Sequence, residues 1–173
     1  MTFDKLPYQD FTIKAIVTDV EKKEEILRDL NATYLGVDHQ KDIYFNVPKG
    51  KLKWRQGTIE NLITHYERLE EHGLEKTIVY RYDLNPTQKD IDKLYIDSKE
   101  IGAVEKERKI FYIGNVKIHL DKTKDNKSFI EIEAIDREEK MSGAELKEQC
   151  LRVKVQLKIK DEDLIKTGYH HAG

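Results

Sequence analysis

Apolar and polar residues alternate with a period of two in several separate parts of this chain, and this pattern constrains its fold most strongly. The clearest alternation runs through residues 10–17, 51–55, 116–121 and 129–134. Successive side chains of a β-strand point to opposite faces, so each stretch predicts a strand with one apolar face and one charged face. Further strand-like runs lie near residues 40–46, 61–69, 77–83 and 104–113. The chain is therefore predicted to contain about eight strands.

Short connections indicate how neighbouring strands pair. Pro48-Lys49-Gly50 and Gly114-Asn115 each separate two predicted strands by only a few residues. A parallel pair would need a longer crossover, so these connections predict antiparallel hairpins.

Other segments follow the helical period, and each begins with a capping-box signal. The signals are Thr18-x-x-Glu21, Thr87-x-x-Asp90 and Ser142-x-x-Glu145. The second helix is predicted to reach Ile101 and to end at Gly102. The third carries a one-sided apolar stripe of Leu146, Cys150, Val153 and Leu157. Such a stripe must pack against another element, which favours packing of the helices on the predicted sheet.

The overall charge excludes a general electrostatic case for nucleic-acid binding. The 173-residue chain has 31 Lys and Arg against 33 Asp and Glu, so any basic site must be a local cluster. The length predicts a single domain over residues 1–173, with residues 167–173 as a tail. The single cysteine, Cys150, and the absence of an apolar stretch of roughly 20 residues predict a cytoplasmic protein with no membrane partner. The oligomeric state, monomer or homodimer, stays open.

Charged residues on the predicted strands are sorted by sign. Lys51, Lys53 and Arg55 share one strand face, opposite Leu52 and Trp54. Four further sets share a strand face in the same way: Tyr66 with Arg68, Lys106 with Arg108, Lys117 with His119 and Asp121, and Glu131 with Glu133. Lys14 lies on the polar face of the first strand. Opposite charges on neighbouring strands stabilise by roughly 0.2–1 kcal/mol, so stability alone would mix the signs. The sorting favours a site for a polyanion and a metal ion, although a solvated strand face is the simpler interpretation of any one strand.

These faces predict an enclosed polar interior. If the apolar faces pack against helices, closure of the sheet encloses the charged faces. The predicted fold is therefore α+β, an antiparallel β-barrel of about eight strands with about three helices packed on its outside. Converging cations suit a di- or triphosphate, because Arg offers paired donors and Lys a point charge. Carboxylates without a His or Cys cluster suit Mg²⁺ or Mn²⁺ better than zinc.

Four segments of the chain form a recognisable set: DIYFNVPKGKLKWR (42–55), YER (66–68), EKERKIFYIGNVKIHLD (105–121) and FIEIEA (129–134). In order and spacing they resemble the CYTH family, which includes class IV adenylate cyclases and thiamine triphosphatases and belongs to the triphosphate tunnel metalloenzymes. The resemblance implies an eight-stranded antiparallel tunnel that binds an organic triphosphate with Mg²⁺ or Mn²⁺. The substrate-binding residues it implies are Lys14, Lys53, Arg55, Arg68, Lys106, Arg108, Lys117 and His119. Lys14, Arg55 and Arg108 would be catalytic, and the metal would be held by Glu131, Glu133, Asp121 and Asp10.

The first strand departs from the family pattern. The family motif is ExExK, and the corresponding stretch here is Asp10-Phe11-Thr12-Ile13-Lys14, which keeps only the lysine. Thr12 cannot supply a negative charge to a metal, so catalysis could be weaker, altered or absent.

The main functional hypothesis is a class IV adenylate cyclase-like enzyme that converts ATP to cyclic AMP and pyrophosphate. A triphosphatase acting on thiamine triphosphate, a nucleoside triphosphate or tripolyphosphate is an alternative. A further alternative is a non-catalytic module that binds a triphosphate or nucleotide. A single-strand nucleic-acid barrel would need several stacking aromatics among its cations, and Tyr66 is the sole candidate.

Overall fold

The computed structural model describes residues 6–71, 74–136, 138 and 140–165. Within these residues the strands are β1 (Tyr8–Ile16), β2 (Thr33–Phe45), β3 (Lys51–Gly57), β4 (Asn61–Glu71), β5 (Leu74–Leu84), β6 (Glu100–Ile113), β7 (Val116–Thr123) and β8 (Ser128–Ile135). The α-helices of the same part are α1 (Val20–Asp29), α2 (Gln88–Asp97) and α3 (Gly143–Gln156). A short 3-10 helix covers Asp161–Asp163.

The strands form a closed antiparallel barrel, as predicted. Their order around the barrel is β1-β5-β4-β3-β2-β6-β7-β8, and β8 closes the ring by pairing with β1. The predicted hairpins are present between β2 and β3 and between β6 and β7. The first of these turns requires Gly50, which has a φ of +71° and whose Cβ would overlap the Tyr66 carbonyl oxygen.

The helices cover the outer, apolar face of the barrel. One buried cluster joins outward residues of β1, β7 and β8, such as Ile13, Ile118 and Ile132, to Leu27 of α1 and Cys150 of α3. Burying an aliphatic side chain of this size stabilises a fold by about 1.5–3 kcal/mol. A second buried cluster sets Leu94 of α2 against Ile43, Phe45, Leu52 and Ile63 of β2, β3 and β4. Because the helices occupy the outside, the charged strand faces are enclosed.

Two helix boundaries differ from the sequence prediction. Helix α1 has Asp19 as its N-cap, without a side-chain capping bond, because the Val17 N–H still pairs with the Ser128 carbonyl and leaves Thr18 beside the strand. Helix α2 ends at Asp97, and Ser98 is extended, with φ −142° and ψ 150°. Ile101 and Gly102, predicted to be its last residues, belong to β6, which pairs here with β2.

The other capping boxes are confirmed. Thr87 Oγ1 accepts from the Asp90 N–H at 3.2 Å, and Ser142 Oγ accepts from the Glu145 N–H at 3.1 Å. Strand β2 is longer than predicted, because its first half pairs with β6 although its sequence lacks a clear alternation. The predicted tail at residues 167–173 lies outside the described residues. In the described part of the chain, all helices are too short or too polar to cross a bilayer.

Candidate functional site

The barrel interior contains a cavity of about 80 Å³ that is lined by most of the predicted site residues. Those lining it are Asp10, Lys53, Arg55, Arg68, Arg108, Lys117, His119, Glu131 and Glu133. Each projects from the inner face of its strand, where period-two alternation places it. The cavity can hold several water molecules or a phosphate group, since one water needs about 10–15 Å³.

Three predicted site residues do not line this cavity but lie next to it: Lys14, Lys106 and Asp121. Lys14 lines a neighbouring cleft that it shares with Arg68, and Lys106 lines a groove that also contacts Gln40 of β2. Asp121 is covered by Arg108. All three side chains are buried, so they still belong to the same low-dielectric interior.

Arg55 is held in place by Asp42. Its Nε and Nη2 each donate to an Asp42 carboxylate oxygen at 2.9 Å, and both side chains are buried. Lys106 Nζ donates to the same carboxylate at 3.3 Å, and Lys53 Nζ lies 3.6 Å from it. Burial alone would raise the pKa of Asp42, but Arg55, Lys106 and Lys53 lower it well below its usual range. Asp42 is therefore an ionised anchor that orients three cations.

Arg108 and Asp121 form a second pair with two hydrogen bonds, of 2.7 and 2.8 Å. Burial opposes ionisation of Asp121, yet Arg108 and Lys106 lower its pKa. Such paired N–H···O contacts fix the plane of the guanidinium. Arg108 is thus oriented before any ligand arrives.

Arg68 and His119 are less completely satisfied. Arg68 Nη2 donates to Glu131 Oε1 at 3.2 Å, but its buried Nε and Nη1 have no hydrogen-bond partner among the described residues. Both ring nitrogens of His119 and the Tyr66 hydroxyl likewise lack a partner within the described part of the chain. Burial, followed by Arg108 and Lys117, lowers the pKa of His119 well below its usual range, so its ring is neutral at neutral pH.

His119, Asp121 and Glu131 form the metal-compatible cluster. One ligand atom from each residue can be chosen so that all three lie within 4.8 Å of one another, and all three residues are buried. Burial would raise the pKa of Glu131, but Arg68, Lys14 and Arg108 lower it, so the carboxylate is ionised. A neutral imidazole with two carboxylates is a donor set that divalent first-row metals accept.

The other two predicted metal ligands, Asp10 and Glu133, are not members of this cluster, although both line the same cavity. Asp10 faces Glu133, and burial together with the negative charge of Glu133 raises the pKa of Asp10 well above its usual range. Two carboxylates at close range in a low-dielectric interior cannot both ionise easily. The assignment of Asp10 and Glu133 to a metal ion stays a prediction.

Sequence reasoning missed two of the interior carboxylates that neutralise the cations, Asp42 and Glu60. Asp42 lies in one of the segments that resemble the CYTH family. Asp38, Gln40 and Asp42 share one strand face by their spacing of two, but the opposite face is also polar, so the pattern does not identify the inner face. Glu60 lies in the turn before β4, where no periodicity predicts an inward side chain. Its carboxylate nevertheless contacts Arg55, Arg108 and Lys117.

Known proteins share this architecture. The PH1012 protein of Pyrococcus horikoshii OT3 has a TM-score of 0.74 and 25% sequence identity, and the match covers 92% of this chain and 96% of that one. A candidate adenylate cyclase from Vibrio parahaemolyticus has a TM-score of 0.72 at 15% identity, with 94% and 96% covered. HpAC1 from Hippeastrum, a candidate adenylyl cyclase said to have a dominant triphosphatase activity, has a TM-score of 0.58 at 10% identity, with 93% and 92% covered. Comparison with curated protein sequences gave no match.

The likeness to the last two structures concerns the fold alone. Sequence evidence for the family is separate and covers most of the chain. The CYTH domain profile matches residues 11–169, from β1 to beyond the last described residue. The chain therefore belongs to the CYTH domain family.

Proposed function

We propose that this protein binds an organic triphosphate and a divalent cation inside the barrel and catalyses phosphoryl transfer on that triphosphate. The observation that carries the proposal is a group of buried polar atoms in the cavity lining, on Tyr66 and Arg68 of β4 and on His119 of β7, that have no hydrogen-bond partner among the described residues. A buried polar group without a partner costs about 1–3 kcal/mol. A phosphate chain supplies acceptor oxygens that would satisfy the donors among them.

The pre-oriented arginines support the same function. Arg55 and Arg108 are held by Asp42 and Asp121, so their guanidinium groups need little rearrangement when charge develops on a phosphate. Preorganised donors in a water-poor site are a large source of phosphoryl-transfer catalysis. Lys53 of β3 and Lys117 of β7 add point charges to the lining of the same cavity.

The donor set of His119, Asp121 and Glu131 fits a divalent cation. Its two carboxylates suit Mg²⁺ or Mn²⁺, and the imidazole nitrogen favours Mn²⁺ over Mg²⁺. The ring nitrogens of His119, which have no partner in the described part of the chain, support this assignment. When bound, the cation would neutralise negative charge on the phosphate oxygens. Arg68 and Arg108, which contact Glu131 and Asp121, would then be shared between these carboxylates and the phosphates.

An apolar wall favours an organic triphosphate over an inorganic one. Tyr8, Leu62, Val79 and Ile135 line the same cavity as the cations. The Tyr82 ring packs edge-on against Tyr8, with centroids 6.4 Å apart. A flat base or ring would lie against this wall while the phosphates face the cations.

Conversion of ATP to cyclic AMP and pyrophosphate, as in class IV adenylate cyclases, is our leading reaction. It requires the ribose 3′-hydroxyl to reach the α-phosphorus. The triphosphatase alternative instead requires water at the terminal phosphorus. A non-catalytic binding module is favoured by Thr12 and by the raised pKa of Asp10, since neither supplies negative charge to a metal.

A product assay separates these functions. The purified protein is incubated with Mg²⁺ or Mn²⁺ and with ATP, thiamine triphosphate or tripolyphosphate, and the products are resolved by chromatography. Cyclic AMP with pyrophosphate identifies the cyclase, and release of orthophosphate identifies the triphosphatase. Binding of a triphosphate without turnover identifies the binding module. Neither binding nor turnover with any of the three would overturn the proposal.

Matched variants link any activity to the cavity. Glu131→Gln should abolish turnover, because it removes a charged member of the metal cluster. Glu105→Gln should leave turnover unchanged, because Glu105 pairs with Lys124 at the exposed surface.

A further inference from the structure

Glu60 places a negative charge across the barrel interior. It lies in the turn between β3 and β4, with Oε1 3.4 Å from Arg55 Nη1 and 3.9 Å from Arg108 Nη1. Its Oε2 contacts Lys117 Nζ on β7. In the closed strand order β7 lies four positions from β4, on the opposite side of the ring. The ion pair between Glu60 and Lys117 therefore crosses the interior.

A buried network holds Glu60 in this position. The Asp38 carboxylate accepts from the backbone N–H of Ile59 at 2.8 Å and of Glu60 at 2.9 Å, and Asp38 is fully buried. Gln40 Nε2 donates to Asp38 at 2.8 Å and to Glu60 Oε1 at 3.0 Å. Gly57 permits this close packing, since a Cβ there would lie 2.5 Å from Asp38 Oδ1. The turn is thus fastened to β2, and its carboxylate points into the cavity.

Glu60 acts as an internal counter-anion. Burial would raise its pKa, but Lys117, Arg55 and Arg108 lower it below the usual range, so the carboxylate is ionised at neutral pH. It binds the same kind of cations that a phosphate oxygen would bind. By contrast, Arg68 and His119 keep unpartnered nitrogen atoms that face the cavity, counted over the described residues.

We propose that Glu60 limits the length of the phosphate chain that the cavity accepts. This inference rests on the proposed function, because it concerns the same cations. A triphosphate shares Arg55 and Arg108 with Glu60, which keeps its ion pair with Lys117. A longer chain must displace the Glu60 carboxylate from these cations and is repelled by it. Glu60 is therefore a specificity-determining residue that selects a triphosphate against long inorganic polyphosphate.

The test compares phosphate chains of different length by titration calorimetry at a fixed free Mg²⁺ concentration. The probes are pyrophosphate, tripolyphosphate and a long-chain polyphosphate, each titrated into the wild type, Glu60→Gln and Glu105→Gln. Glu60→Gln should bind the long chain about tenfold more tightly, because it removes a buried like charge from the path of the ligand. Affinity for pyrophosphate should change much less. Glu105→Gln, at an exposed ion pair, should match the wild type.

A second variant distinguishes a specific effect of Glu60 from misfolding of Glu60→Gln. Glu60→Asp keeps the charge but shortens the side chain, so it should no longer reach Lys117 and should show a smaller gain for the long chain. Thermal melting establishes that each variant is folded. An equal change for every chain length, or no change in either folded variant, overturns the inference.

The proposed function and this inference can fail separately. If the wild type binds tripolyphosphate and the variants keep its chain-length preference, only the inference fails. If the wild type binds none of the probes but Glu60→Gln gains long-chain binding, the role of Glu60 is supported and the proposed function fails. Binding by no variant overturns both.

Discussion

Arg68 differs from the other cavity arginines because its carboxylate partner satisfies only part of its guanidinium. Glu131 accepts one bond from Nη2, whereas Asp42 and Asp121 each accept two bonds from their arginines. A lysine at position 68 keeps the positive charge but loses the planar set of donors.

We therefore expect Arg68→Lys to weaken tripolyphosphate binding by about tenfold with little change in thermal stability. Calorimetry and thermal melting measure the two quantities. Arg81→Lys is the matched control, because Arg81 pairs with Asp83 at a site more than a third exposed. Equal affinity of Arg68→Lys and the wild type would contradict the assignment of Arg68 to the ligand.

Lys106 predicts a pH dependence within an accessible range. Burial and then the positive charge of Arg108 lower its pKa to about 8. In the unfolded chain a lysine titrates near about 10.4, so between these values the folded protein binds fewer protons than the unfolded chain. The contribution of Lys106 to the free energy of unfolding therefore rises with pH across this window. Phosphate affinity should fall over the same window, because the ammonium charge is lost.

The two opposite trends are measured by chemical denaturation and by calorimetry between neutral pH and pH of about 10. Lys106→Arg is the matched variant, because an arginine stays charged throughout. The phosphate affinity of this variant should decrease less steeply with rising pH. An unchanged slope in this variant would assign the pH dependence to another group.

The site residues that could be predicted from sequence lie on strands with clear alternation. Arg55, Arg108 and Glu131 follow from the period of two, which places each on the charged face of its strand. Glu60 could not be predicted, since a turn residue has no periodic neighbour and its direction depends on Asp38, distant in sequence. The contact between Asp10 and Glu133 depends on the register between β1 and β8, which the sequence does not display.

At the scale of elements, two similar capping-box sequences have different outcomes. Comparing them shows how far the local sequence determines where a helix begins. Ser142 caps α3, whereas Thr18 makes no cap for α1 because the backbone at Val17 is still paired with β8. We expect Ser142→Ala to lower the free energy of unfolding by about 1 kcal/mol. Thr18→Ala should change it by less than about 0.5 kcal/mol, as for ordinary surface positions.

Urea denaturation followed by circular dichroism measures both values. Comparable losses in the two variants would mean that Thr18 caps α1 after all. Both helices are preceded by the same kind of capping-box sequence, and only the backbone pairing of Val17 with β8 makes the two outcomes differ. Similarly, α2 could not be predicted to stop at Asp97, because the pairing of Ile101 and Gly102 with β2 is a long-range effect.

Helix α3 makes Cys150 chemically inert. The thiol is fully buried and donates to the Phe11 carbonyl at 3.2 Å, and burial raises its pKa to about 12. We expect no alkylation of the folded protein by iodoacetamide on a timescale at which the urea-unfolded protein reacts fully. Mass spectrometry counts the modified thiols. Modification of the folded protein at the unfolded rate would show that α3 separates readily from the barrel.

At the scale of the whole molecule, the cavity lies where many strands contribute. Arg68 comes from β4, Arg55 from β3, Arg108 from β6, His119 from β7 and Glu131 from β8. A ligand that contacts these residues would join opposite sides of the ring. Because unfolding separates the strands, the ligand has no comparable site in the unfolded chain, and binding must stabilise the fold.

The last prediction follows from this linkage. Tripolyphosphate at about 100 times its dissociation constant should raise the free energy of unfolding by about 2.7 kcal/mol. For a chain of this size the melting temperature would rise by roughly 5–11 °C. Sodium chloride at the same ionic strength should give a much smaller rise, because chloride cannot link several cations. Arg68→Lys should reduce the shift at the same ligand concentration, while Arg81→Lys should keep it. Equal shifts with tripolyphosphate and chloride would mean that the interior cations respond only to ionic strength, without a built phosphate site.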